Sequence, residues 1–219
     1  MTGPNGQTGQ ARRAARTWTR AAGAAAVTAT ALTMAIAPAH GAPAAPTGTA
    51  AATTTAVDYA TWQQDCRAVM DQALPYLKER IAGAVPGEKQ AIVLDIDNTS
   101  LETDFGFSFP QPANRPVLET ARYAREHGVA LFFVTARPGI VAGPTEWNLD
   151  HAGYESSGLY VRGFLDLFKN VADYKTAQRA DIESRGYTII ANIGNTPTDL
   201  SGGHAERTFK LPDYDGRLS

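Results

Sequence analysis

The chain has 219 residues, of which 43% are hydrophobic and 19% charged, as expected for one globular domain with an appendage. With 20 basic and 22 acidic residues, its formal net charge is −2. This balance lacks the strongly basic character of a nucleic-acid-binding protein. The single cysteine, Cys66, excludes an intramolecular disulfide, and its position in a helical pattern favours a small buried residue.

Residues 1–41 have the composition of a secretory signal peptide. Four arginines and no acid lie within residues 1–20, an uncharged Ala-rich run extends to Ala37, and small residues follow it. A membrane anchor is the alternative, but the run is mostly Ala and short of the roughly 20 strongly apolar residues that a span needs. We therefore expect a secreted protein with no stable membrane span after cleavage. Residues 42–56, rich in Pro, Ala and Thr, are predicted to be a disordered linker before a domain at 57–219.

The sequence of the domain predicts alternating helices and strands. Apolar residues recur at helical spacing over residues 57–84, where Pro75 is expected to kink or split the helix. The continuous apolar run at 91–94 is typical of a strand buried on both faces. Further strands are predicted at 129–134, 159–161, 188–191 and 207–211, and helices at 116–127 and 173–185. This order predicts an α/β fold with a mostly parallel central sheet, whose ligand site lies at the carboxyl ends of the strands.

Two acids follow the first strand, in the run Asp95-Ile96-Asp97-Asn98-Thr99. Two carboxylates this close are costly next to a hydrophobic strand unless a cation or a shared proton offsets their charge. A hard cation such as Mg²⁺ would do so, and a carboxylate can attack phosphorus. A solvated turn with capping acids is the alternative use of these residues.

Three later places carry residues that suit phosphate or a metal. Thr135 and Ala136 end the second strand, where a hydroxyl and backbone N–H groups can hold a phosphate oxygen. Arg137 is either a further phosphate contact or a surface charge. Lys175, preferred over Lys169, lies near the start of a helix and can offset negative charge. The fourth place is the run from Gly194 to Gly203, which includes Asn195 and Asp199.

In this order the four motifs resemble those of the haloacid dehalogenase (HAD) superfamily. The branch they resemble is the acid phosphatases of subfamily IIIB, related to class B acid phosphatases and plant vegetative storage proteins. The resemblance covers residues 62–212 and implies a Rossmann-like HAD fold. It also implies that Asp95 is the nucleophile, that Asp97 is the acid/base, and that Thr135 and Lys175 complete the catalytic set. Asn98, Thr135, Ala136, Arg137 and Lys175 are then the predicted substrate-binding residues.

The fourth motif departs from the family pattern, Gly-Asp-x-x-x-Asp, because Asn195 replaces its first acid. The resemblance implies Mg²⁺ as cofactor, held by Asp95, Asp97, Asn195 and Asp199, with Asp97 contributing its backbone carbonyl. The carbonyl oxygen of an asparagine can bind Mg²⁺ but brings no formal charge. We therefore expect weaker metal binding than in a site with aspartate at this position.

The resemblance predicts a secreted, Mg²⁺-dependent acid phosphatase that hydrolyses small phosphomonoesters through an aspartyl-phosphate intermediate. The alternative is a catalytically weakened binding or storage protein on the same fold, and transfer of the phosphoryl group to an alcohol is a third reading. Residues 100–116 leave room for a small cap or flap only. There Phe105, Phe107 and Phe109 form either an alternating flap or the core of a hairpin, and other aromatic residues that are candidates to line the pocket are Trp147, Tyr154 and Tyr160.

Overall fold

The computed structural model describes residues 56–106 and 108–218. The predicted signal peptide, the predicted linker apart from Ala56, and Phe107 lie outside the described residues.

Five parallel strands form one sheet in the order β3-β2-β1-β4-β5. The strands are β1 (Lys89–Leu94), β2 (Ala130–Pro138), β3 (Gly158–Arg162), β4 (Tyr187–Gly194) and β5 (Thr208–Lys210). The predicted α/β fold with a parallel sheet is therefore confirmed. Because β1 lies between β2 and β4, the carboxyl ends of these three strands meet at one edge of the sheet.

In the described part of the chain, five α-helices accompany the sheet: α1 (Tyr59–Ala82), α2 (Arg115–Glu126), α3 (Ala142–Ala152), α4 (Val171–Ser184) and the short α5 (Pro197–Leu200). Short 3-10 helices lie at Gly139–Val141 and Phe164–Phe168. The predicted split at Pro75 does not occur, because α1 continues through it as one helix. The missing N–H of proline costs the helix one hydrogen bond. Burial of the helix face on both sides of Pro75 offsets this cost, and that face comprises Trp62, Cys66, Met70, Ala73 and Leu77.

Two hydrophobic clusters cover the two faces of the sheet, and β1 contributes to both. Ile92 and Leu94 pack with residues of α1 and α2, whereas Ala91 and Val93 pack with residues of α4. This explains the continuous apolar run that marks the strand in the sequence. Cys66 is fully buried in the first cluster, and burial raises the pKa of its thiol to about 12. Within the described part of the chain, no helix is both long and apolar enough to cross a membrane.

Between Thr99 and α2 the described residues form a loop with two isolated bridges, Asp97 to Leu101 and Leu101 to Ala113, and no strand. Phe105 is partly buried and stacks on Trp62 with ring centroids 4.3 Å apart, so it packs against the core. Phe109 is 65% exposed and stacks on Trp147. Neither an alternating flap nor a hairpin core describes this loop, because its two described phenylalanines point to different environments.

Candidate active site

The loop after β1 holds both predicted acids at the carboxyl edge of the sheet. The backbone N–H of Asp95 donates to the carbonyl of Ile193 in β4 (3.0 Å), which fixes the first acid between the two strand ends. Asn98 adopts a positive φ of 53°. Its side chain holds this turn through Asp104, donating to the carboxylate (2.8 Å) and accepting from the backbone N–H (3.0 Å). Asn98 therefore shapes the loop in the structure, while its predicted contact with substrate stays a prediction.

Lys175 joins two of the predicted acids. Its ammonium donates to Asp95 Oδ1 and to Asp199 Oδ1, each at 2.6 Å, and all three side chains are buried. Lys169, the other candidate, pairs with Asp166 at the surface instead. Two carboxylates share one ammonium, so this buried trio carries an excess negative charge.

The pKa values of the trio reflect this excess. Burial raises the pKa of Asp95 above its usual range, and the nearby charge of Asp199 acts in the same direction, while Lys175 opposes both. Burial pulls the pKa of Lys175 down, but its contacts with the two carboxylates outweigh this and leave the pKa raised. Lys175 is therefore a cation, and Asp95 is a carboxylate held at an energetic cost.

Asp199 is held by its backbone as well as by its side chain. Its Oδ2 accepts from the N–H of Thr196 (2.7 Å) in the first turn of α5. Gly194 makes room for it, since a Cβ there would lie 2.3 Å from the Cβ of Asp199. Arg179, which is fully buried, donates to the carbonyl of Asp199 (2.8 Å) and to that of Gly203 (3.0 Å). Sequence reasoning missed Arg179, although its place four residues after Lys175 on α4 puts it on the same helix face.

Asp97 pairs with Arg137 rather than with Lys175. The guanidinium contacts both carboxylate oxygens of Asp97, with the shortest contact at 2.7 Å, and the hydroxyl of Thr103 donates to the same carboxylate (2.9 Å). Arg137 also donates to Gln111 (2.9 Å) and Thr145 (3.2 Å). Its guanidinium is thus engaged by protein groups, and a contact with phosphate would require it to exchange one of them.

A cavity of about 360 Å³ opens between these side chains. Seven of the predicted site residues line it: Asp95, Asp97, Asn98, Ala136, Lys175, Asn195 and Asp199. Thr135 and Arg137 are not among its lining residues; Thr135 is buried at the end of β2 and accepts from the N–H of Arg137 (3.1 Å). The structure therefore brings most of the predicted site together.

The aromatic residues considered for the pocket lie elsewhere. Tyr154 is buried in the core and donates to the carbonyl of Ser100 (2.9 Å). Tyr160 donates to Asp181 (2.9 Å), and Trp147 stacks on Phe109. Because none of the three lines the cavity, the expectation that they line the pocket is wrong.

Asn195 follows β4 directly and is buried. Its carbonyl oxygen accepts from the hydroxyl of Thr99 (3.3 Å), and its amide nitrogen donates to the backbone carbonyl of Leu218 (2.6 Å). These partners orient the amide of Asn195 so that its oxygen faces the loop after β1.

The oxygen atoms around the cavity include few that are free to bind Mg²⁺. Within residues 56–106 and 108–218, no group of three or more His, Cys, Asp or Glu side chains is placed to hold a metal. Asp199 is engaged through both oxygens, and the side chain of Asp97 is paired with Arg137. The carboxylate of Asp95 with two neutral oxygens, the backbone carbonyl of Asp97 and the amide oxygen of Asn195, still fits Mg²⁺, which commonly takes one or two carboxylates plus water and phosphate oxygens.

Comparison with known proteins points to one family. The model of the HAD superfamily, subfamily IIIB (acid phosphatase), matches residues 13–111 and 108–217. The stem 28 kDa glycoprotein of Glycine max is 38% identical over 90 residues, which are 39% of this chain and 35% of that protein. Acid phosphatase 1 of Solanum lycopersicum is 33% identical over 88 residues, 39% of this chain and 34% of that protein.

The curated relatives are matched over about a third to a half of their length. Among solved structures, the class C acid phosphatase from Bacillus anthracis superposes with a TM-score of 0.57. That alignment has 16% sequence identity and covers 72% of this chain and 80% of the other. At this identity the similarity establishes the fold.

Proposed function

Because the chain belongs to the HAD superfamily, subfamily IIIB, the acid phosphatases, we propose that it hydrolyses small phosphomonoesters with Asp95 as the nucleophile. The observation that carries this proposal is the buried contact of Lys175 with Asp95 and Asp199 beside the cavity. A cation at 2.6 Å holds the carboxylate of Asp95 in one orientation and offsets part of the charge that a phosphate would bring.

The proposed reaction has two displacements at phosphorus. A carboxylate oxygen of Asp95 forms a bond to phosphorus as the ester P–O bond breaks. The leaving oxygen takes a proton from Asp97, which enters this step in its protonated form. Asp97, now a carboxylate, then accepts a proton from water, whose oxygen attacks phosphorus and releases Asp95 and inorganic phosphate. One water is consumed, and alcohol and phosphate are produced, so atoms and charge balance.

Arg137 and Thr103 give Asp97 its orientation in this scheme. A bidentate guanidinium contact fixes the plane of a carboxylate, and the hydroxyl of Thr103 contacts the same carboxylate. The backbone N–H of Ala136, near the carboxyl end of β2, and the ammonium of Lys175 are the groups that would hold the phosphate oxygens.

A divalent cation, for which we propose Mg²⁺, would be held by Asp95, the backbone carbonyl of Asp97 and Asn195. When bound, such a cation offsets phosphate charge and orients the phosphoryl group. Asp199, predicted as a ligand, is better suited to holding Lys175, since its two oxygens already accept hydrogen bonds.

A catalytically weakened protein on the same fold is the second candidate. Two observations favour it: Asn195 replaces an acid in the fourth motif, and two of the relatives are named as stem glycoproteins. The trio and Asp97 favour the enzyme, because the proposed nucleophile, acid/base and cation all lie beside one cavity.

Export is also part of the proposal. It is supported by the basic, apolar and small-residue order of residues 1–41, all outside the described residues. The measurement is the N-terminal sequence of protein recovered from the medium of the expressing cells, where a start near residue 42 is expected. Retention of residues 1–41 on cell-associated protein would contradict export.

The function is tested by phosphate release from an aryl phosphate, with Mg²⁺ and with EDTA. We expect turnover that EDTA suppresses, and a loss of about 10³-fold or more in kcat for Asp95→Asn. Asp71→Asn, an exposed aspartate on α1, is the matched control and should leave the rate unchanged. Normal turnover by Asp95→Asn would overturn the assigned nucleophile, and absence of turnover by the unmodified protein would favour the weakened protein.

A further inference from the structure

The segment 213–218, which follows β5, packs against the rest of the domain. Leu218 is 4% exposed and belongs to the main core cluster. Tyr214 donates to Asp65 on α1 (2.6 Å), and Lys210 of β5 pairs with Asp213 (3.1 Å). The segment is therefore fixed by contacts on both of its sides.

One contact joins this segment to the candidate active site. The amide nitrogen of Asn195 donates to the backbone carbonyl of Leu218 at 2.6 Å, and Asn195 is 1% exposed. A backbone carbonyl only accepts hydrogen bonds, so it orients the amide with nitrogen toward Leu218. The carbonyl oxygen of Asn195 then points toward Thr99 and the loop that carries Asp95.

Aspartate at position 195 could not donate a hydrogen bond to the carbonyl of Leu218. An ionised carboxylate has acceptors only, so one of its oxygens would face the carbonyl of Leu218 in a buried place. Two facing acceptors leave both without a partner, and buried polar groups without partners are costly. The asparagine is thus matched to the segment 213–218, besides being a neutral replacement for an acid.

We propose that Asn195 secures the segment 213–218 to the end of β4, and that the carbonyl of Leu218 is the positioning group that turns the amide oxygen of Asn195 toward the metal position. The attachment of the segment 213–218 does not depend on the proposed function. The orientation of the amide oxygen toward a metal does rest on the proposed function. Asn195 accordingly joins the segment 213–218 to the loop that carries Asp95. Metal binding by its amide oxygen alone would not make this connection.

Hydrogen exchange in metal-free protein at pH 8 tests the attachment. We expect Asn195→Asp to speed exchange in peptides covering 213–218 by roughly tenfold or more, and Asn195→Ala, which loses the donor without adding charge, to do so to a smaller extent. Asn148→Asp is the matched control, because Asn148 is also buried and donates to a backbone carbonyl, that of Gln111 (2.8 Å). The control should speed exchange near Gln111 and leave 213–218 unchanged. Wild-type exchange at 213–218 in both Asn195 variants would overturn the proposal, as would equal acceleration by Asn148→Asp.

A double-mutant cycle with Leu218→Ala gives a second readout in metal-free protein. Leu218→Ala loosens the segment by removing a core side chain while it keeps the backbone carbonyl that Asn195 contacts. Asn195→Asp should then lower Tm less than it does when Leu218 is present. Strictly additive changes in Tm would overturn the proposal. Since neither readout uses catalysis, the attachment can be supported while the phosphatase assay fails, or the reverse.

Discussion

Lys175 meets two acids and can neutralise only one of them. The trio with Asp95 and Asp199 is buried, so its excess negative charge has little water to stabilise it. A phosphate group arriving at the cavity would add further negative charge, which is the physical reason for proposing a bound cation at this site. With Asn195 instead of aspartate, the site offers that cation one formal charge fewer.

The raised pKa of Asp95 predicts a gain of stability from removing its charge. Burial raises the pKa, so the ionised form is disfavoured in the folded protein. The cost is fully present above the raised pKa and disappears as the pH falls below the unfolded value of about 4. Asp95→Asn leaves Lys175 paired with Asp199 alone, and it should raise the Tm of metal-free protein by about 3 °C at pH 8.

Thermal unfolding of both proteins between pH 4 and pH 8 measures this effect. The difference in Tm should shrink toward pH 4, where the carboxyl of Asp95 in the wild type takes up a proton. A lower Tm for Asp95→Asn at pH 8 would contradict the assigned cost of the buried charge.

Arg137 is expected to act as a positioning residue for Asp97. Arg137→Lys keeps the charge but loses the bidentate contact. Protonation by Asp97 matters most for esters with poor leaving groups, so kcat for an alkyl phosphate should fall roughly tenfold or more, and kcat for a nitrophenyl phosphate should fall less. The ratio of the two kcat values is the measurement, with Arg122→Lys, remote from the cavity, as control. Equal losses on both substrates would point to a general structural role instead.

At the scale of elements, Gly194 is the place where β4 must pass close to α5. A Cβ at this position would lie 2.3 Å from the Cβ of Asp199, and the contacts of Asp199 with Lys175 and Thr196 leave that side chain little room for adjustment. Gly194→Ala should therefore lower the free energy of unfolding by about 1–3 kcal/mol and reduce kcat by displacing Asp199. Urea unfolding checks the first effect.

Gly143→Ala in α3 is the matched control, because a Cβ there meets nothing within 4 Å. It should be close to neutral, since the better helix preference of alanine is offset by the crowding of its Cβ against the ring of Pro144. Unchanged stability in both variants would show that the approach of Gly194 to Asp199 is not tight.

The sheet could be predicted because its central strands are buried on both faces and stand out as apolar runs. The helices were less predictable where local signals conflict with packing. Pro75 predicted a split in α1, but the buried face on both sides of it keeps one helix. Gly143 and Pro144 concealed α3, although proline is well tolerated in a first turn.

Part of the candidate site could likewise be predicted from the sequence, and part of it could not. Asp95, Asp97 and Lys175 could be found because each lies at a strand end or in the first turns of a helix, where the topology places ligands. The partners of Asp97 and Asn195 could not be found, because Arg137 and Leu218 are 40 and 23 residues away in sequence. Such contacts depend on side-chain geometry after folding, which no local pattern records.

For the whole molecule, the family, the fold and the site point to one account. The chain belongs to the acid phosphatases of HAD subfamily IIIB, and its five-stranded parallel sheet presents Asp95, Asp97 and Lys175 around one cavity. With a single buried cysteine, the domain depends on its two hydrophobic clusters for stability. The segment 213–218 completes the first cluster and reaches the site through Asn195.

The most direct test of this account is to trap the intermediate. The protein is mixed with a nitrophenyl phosphate and Mg²⁺, quenched in acid within the first turnover, and digested for mass analysis. The leaving group needs no proton from Asp97, so the phosphoryl group should be found on the peptide containing Asp95 and be absent in Asp95→Asn. Turnover with no phosphoryl group on Asp95 at any quench time, or with the group on another residue, would contradict the account.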